Sequence, residues 1–143
     1  MRKLVYFVAT FSVGIFLTYP IAASAHGKDS HDDHADAQMH KLHHMMPMFS
    51  VASAELENAI GRGDATAVKA QTEKILAALP DLKESKPHKN LKQLPAFKKI
   101  VAQFGDEVST VRKLAEKGDF GAAKEVFGKL ESRCAECHAK FRD

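Results

Sequence analysis

The chain has 143 residues, 45% hydrophobic and 27% charged, with two cysteines, no tryptophan and a formal net charge of +3, enough for one small domain and too little for a multidomain enzyme. Arg2 and Lys3 precede an apolar run over residues 4–19, and Ala23, Ser24 and Ala25 supply the small residues of a secretory cleavage site, so residues 1–25 read as a signal peptide and the rest as an exported, periplasmic chain. That run is short for a membrane span, and without Arg2 and Lys3 the net charge falls to +1, with basic and acidic residues interspersed; an integral span after cleavage and a clustered nucleic-acid face are both excluded.

Residues 26–38, HGKDSHDDHADAQ, are dense in His and Asp and hold no apolar residue beyond Ala and Gly. Such a segment buries too little to order itself and is expected to be a disordered tether. Six of the eight histidines (His26, His31, His34, His40, His43 and His44) fall before Met45. A tract of this kind also suits metal binding, so periplasmic metal handling stays open as an alternative role.

From Met39 the apolar residues take up a helical beat through Leu42, Met46, Phe49, Leu56 and Ile60, interrupted only by Ser53. Pro47 is expected to kink or restart this helix. It stops at Gly61, Arg62 and Gly63, and Asp64 then caps a second helix with Val68, Thr72, Ile75 and Leu79 inward, which Pro80 is expected to end. A Lys- and Pro-rich connection leads to a third helix from about Pro95, carrying Phe97, Ile100, Phe104, Val108, Val111 and Leu114 and stopping at Gly118. Asp119 caps a fourth, with Phe120, Ala123, Phe127, Leu130, Cys134, Cys137 and Phe141 on one stripe. No segment alternates as a strand does. The fold expected over residues 39–143 is all-α, an antiparallel up-down-up-down four-helix bundle. Its two glycine turns share one end; the other gathers the start of helix one, the long connection and the C-terminus.

The last helix carries CAECH, Cys134 to His138, the C-x-x-C-H signature of covalent haem attachment. Thiols at i and i+3 share a helix face and reach adjacent edges of one macrocycle, while the imidazole next to the second thiol reaches the iron. With this composition the pattern arises by chance roughly once or twice in a thousand chains. The competing readings fit less well. A redox dithiol wants its first Cys at a helix N-terminus, a zinc site lacks its second ligand pair, and an i, i+3 disulfide within a helix has poor geometry. One covalent haem c per chain is therefore expected, at Cys134 and Cys137, with His138 as the proximal iron ligand.

CAECH near the C-terminus of a four-helix pattern, followed by AKFR and preceded by a Gly-Asp turn 19 residues before His138, resembles the class II c-type cytochromes, including the cytochrome c prime type. The resemblance spans residues 39–143. It implies the bundle, the two thioether attachments and the proximal role of His138, and Phe141 with Arg142 matches the aromatic-basic pair that follows the motif. It also implies that the sixth iron position sets function: a ligand there makes an electron carrier, and an open position makes a protein that binds nitric oxide or carbon monoxide. Members often carry an Arg before the distal position; here Lys41 is the nearest cation.

His138 lies about 28 Å of helix from the Asp119 turn, and the same length counted back from Arg62 arrives near His43. Leu42, His43, His44, Met45 and Met46 are the distal candidates, and the apolar stripe selects Leu42 and Met46. Met46 is the expected sixth ligand, with Met45, His43 and His44 as alternatives, and His40 and the loop residue His88 further out. Lys86, Lys89, Lys92, Lys140 and Arg142 would surround the haem edge and steer an acidic redox partner; a homodimer is also expected from the resemblance. No catalytic acid-base pair or nucleophile stands out, and the chain reads as an electron carrier rather than an enzyme.

Overall fold

The computed structural model describes residues 33–142, with side chains from Met39 onward. Four helices follow in order: α1, Asp33–Arg62; α2, Ala65–Glu84; α3, Leu94–Glu116; and α4, Phe120–Phe141, with one 3-10 turn at Leu91–Gln93 before α3. Each packs on its sequence neighbours and α4 returns to α1, which closes an up-down-up-down bundle. The expected signal peptide and residues 26–32 of the tether lie outside the described residues.

Caps set the two tight turns. The Asp64 carboxylate accepts the Ala67 N–H at 2.9 Å, and that of Asp119 accepts the Ala122 N–H at 3.0 Å. Ahead of them Gly63 and Gly118 adopt φ of 67° and 78°, a left-handed conformation costly for residues with a Cβ. Gly63 lies beside the Phe120 ring, so both turns share one end of the bundle. Replacing Asp119 with alanine orphans a helix N–H and is expected to cost about 1 kcal/mol, read as a lower urea midpoint at unchanged m-value; an equal midpoint would show that water replaces the cap.

The core runs the length of the bundle. Leu56, Val68, Ile75, Val108, Val111, Ala123 and Leu130 are completely buried, and Thr72, equally buried, satisfies its hydroxyl by donating to the Val68 carbonyl at 2.9 Å. Three helix expectations need correction. The first helix begins at Asp33, inside the segment read as tether; Ala35 and Ala37 favour helix on backbone grounds, whereas apolar periodicity marks only the part that packs. Pro47 does not restart it, for α1 is one continuous helix. Pro80 does not end α2, which continues to Glu84. A proline inside a helix costs about 3 kcal/mol, and the extra turn offsets much of this by burying Leu82, worth about 1.5–3 kcal/mol.

The buried face of α1 is also one position off the expected stripe. Leu42, Met45, Phe49, Ala52, Leu56 and Ala59 are buried, while Met46 and Ser53 are half-buried. Both stripes are helical and share Leu42, Phe49, Leu56 and Ile60. They diverge because α1 packs closely on α2 and only lightly on α4, so its second apolar flank faces a gap.

Candidate cofactor site at the open end of the bundle

That gap is a cavity of about 710 Å3. Its walls come from every part of the end opposite the glycine turns: Leu42, His43, Met46 and Phe49 of α1, Leu82 of α2, Pro87 and His88 of the connection, Phe97 through Phe104 of α3, and Phe127 through Arg142 of α4. Two aromatic contacts brace it, Phe49 against Phe104 at 5.9 Å and Phe97 against Phe141 at 5.4 Å, both edge to face. The connection is tied beneath α4: the Lys89 N–H donates to the Phe141 carbonyl at 3.2 Å and the Asn90 side-chain amide to that of Lys140 at 2.6 Å.

Cys134, Cys137 and His138 all line this cavity. Both cysteines are free thiols, half-buried. Burial pushes the Cys134 thiol above its ordinary value, reinforced by Glu131. It pushes the Cys137 thiol up to about 11, with the neighbouring Cys134 and Glu136 adding to the effect. Thiols held protonated are the reverse of a redox dithiol, which needs a stabilised thiolate. Burial, and then Arg142, lower the His138 pKa, favouring the neutral imidazole, the form that binds a metal.

The structure separates the α1 candidates. Met46 and His43 line the cavity, whereas Met45 lies in the hydrophobic core, 7% exposed, and His44 packs edge to face on His40, centroids 4.5 Å apart, away from the cavity. Lys41 pairs with Asp81 at 2.7 Å and does not line the cavity. The cations on its walls are Arg133 of α4 and Arg142, the residue that caps its C-terminus. Arg133 went unnoticed in the sequence. Its guanidinium donates from Nε to Glu107 at 3.1 Å and from Nη1 to Glu136 at 2.8 Å, clamping α3 to α4 one residue before Cys134. The i, i+3 spacing of Arg133 and Glu136 was a legible signal; Glu107, on another helix, left none.

The family model for cytochrome c' matches residues 84–142, which hold the α2–α3 connection, α3, α4 and the cysteine pair. Residues 84–142 belong to the cytochrome c' family, the class II c-type cytochromes. Neither a curated protein nor a solved structure gives a match. Membership implies a covalent haem c, and the C-x-x-C-H cysteine pair near the C-terminus is present. Proteins of this family are non-enzymatic haem proteins and are typically periplasmic. Among the described residues no helix is long and apolar enough to cross a membrane. The cavity of the cytochrome fits the group by its own features. Its volume lies within the roughly 300–1,000 Å3 of small-molecule and cofactor sites, its walls are mainly apolar, and both thiols and one imidazole converge on it from a single helix.

Proposed function

We propose that this cytochrome is an exported one-electron carrier, with a single haem c bound through thioethers to Cys134 and Cys137, His138 as proximal ligand and Met46 as sixth ligand. The observation that carries this reading is that Met46, alone among the α1 methionines weighed as ligands, lines the cavity that also receives His138. The bound haem supplies a ferric–ferrous couple. Phe97, Phe104, Phe127 and Leu130 exclude water around it, and a low-dielectric wall disfavours the more charged state. A thioether sixth ligand favours a higher potential than a second imidazole does. Arg133, held by two carboxylates, positions the start of the attachment motif, and Arg142 offers positive charge at the rim. Lys86, Lys89, Lys92 and Lys140 are exposed near this end, which supports steering of an acidic redox partner.

An optical spectrum tests the sixth ligand. The ferrous wild-type protein is expected to be low-spin and indifferent to carbon monoxide, and Met46→Ala to become high-spin, to bind carbon monoxide and to fall in midpoint potential. A wild-type protein that is already high-spin and binds the gas assigns the open-position, gas-binding function instead. An unchanged spectrum in Met46→Ala removes Met46 as ligand.

A further inference from the structure

Electron transfer leaves the histidines at this end of the bundle without a role. His43 on α1 and His88 in the α2–α3 connection are 45 positions apart in sequence, yet their Nε2 atoms stand 3.3 Å apart. Their ring centroids are 5.2 Å apart, with the planes at 18°. Two imidazole nitrogens bound at ~2.05 Å to one tetrahedral ion stand ~3.3 Å apart, and ring centres ~1.2 Å behind them stand ~5.2 Å apart. Both distances match. In the absence of an ion the two nitrogens share a hydrogen bond, one ring donating and the other accepting, a contact that an ion bound to both nitrogens would replace.

The pair is also held in place. Ser85, buried, donates its hydroxyl to the Leu82 carbonyl at 2.7 Å, Pro87 is buried, and Lys89 and Asn90 are hydrogen-bonded to the end of α4. His88 thus sits between two anchors, and His43 is carried within α1, so little ordering remains to oppose binding. His43 is exposed and His88 half-buried, which leaves a path for an ion. Imidazole selects zinc, copper and nickel over magnesium and calcium.

We propose that His43 and His88 form a two-histidine chelate for a divalent first-row transition cation, with zinc as the probe that tests it, bridging α1 to the α2–α3 connection at the rim of the haem cavity. The chelate goes beyond the electron-transfer reading and requires only that His43 stay off the iron.

The test uses the mature haem-loaded protein, freed of loose metal with a chelator and titrated with zinc against a competing chromogenic indicator while the haem spectrum is followed. Wild type is expected to take up one zinc equivalent more than His43→Ala, His88→Ala or the double variant, all three alike, since a chelate missing one arm loses at least about tenfold in affinity. The His40→Ala/His44→Ala variant is expected to match wild type, and the haem spectrum to stay constant throughout. Equal uptake by wild type and His88→Ala overturns the proposal, as does a lost equivalent that follows His40 and His44 or residues 26–38. A high-spin change in His43→Ala would place His43 on the iron and overturn it too. Failure of Met46 as ligand, by contrast, leaves the zinc result intact.

Discussion

Replacing both Cys134 and Cys137 with alanine is expected to yield a chain whose intact mass is that of the mature polypeptide alone, while the wild-type chain carries the added mass of one haem. The two thiols are the only cysteines of the chain, sit one turn apart on α4 and line one apolar cavity, so the double variant removes every thioether the chain can form. His138 remains, but a single imidazole holds the group only reversibly. The change should extend to stability. A group bound to the native state alone stabilises it by mass action, and a covalent one does so without dilution. Without it, the walls built from Phe97, Phe104, Phe127 and Leu130 face water, and apolar surface exposed there costs about 25 cal/mol per Å2. The variant is therefore expected to unfold at a distinctly lower denaturant concentration than the haem-loaded chain. A haem-sized mass retained by the double variant would overturn the attachment assigned to these cysteines.

Leu56→Ala is expected to cost about 2–5 kcal/mol, the range for removing a buried leucine side chain from a packed core. Leu56 is fully buried in the C-terminal third of α1 and does not line the cavity. Small domains hold only about 5–15 kcal/mol in total, so the urea midpoint should fall steeply at nearly constant m-value. The haem spectrum should not move, because the deleted atoms lie in the helix-packing core and not on the cavity wall. Leu130, equally buried but on the wall, provides the contrast: shortening it should disturb both stability and spectrum. A Leu56→Ala protein with near-wild-type stability would show that α1 collapses into the space and that its packing is looser than the burial implies.

The helices were legible because their signals are local. Asp64 and Asp119 cap where a carboxylate beside a glycine turn predicts a cap, and the apolar beat of α3 and α4 survives folding with Val101, Gly105 and Ala115 added to the buried face and Leu114, Phe120, Cys134 and Cys137 left half-buried. Proline misled at position 80, where α2 continues, and at position 47, where α1 does not restart. Its cost at positions 47 and 80 is real, but it is a local cost, and the burial of Phe49 and Leu82, each two residues after a proline, is a tertiary gain that periodicity does not weigh. Met45 stayed open beside Met46 for a related reason: two adjacent apolar stripes on α1 have the same helical period, and one packs on protein while the other faces the cavity.

The haem-attachment motif, the bundle class and the end of the bundle at which Cys134, Cys137 and His138 sit follow from sequence by itself, since helix geometry places neighbours at i+3 and i+4 together regardless of the rest of the chain. The tertiary structure alone decided that Met46 and not Met45 borders the cavity, that Arg133 reaches Glu107 on α3, and that His43 meets His88 across 45 positions. These depend on how far α1 stands from α4 and on how the connection is tied beneath the C-terminus, distances through space that no spacing along the chain encodes.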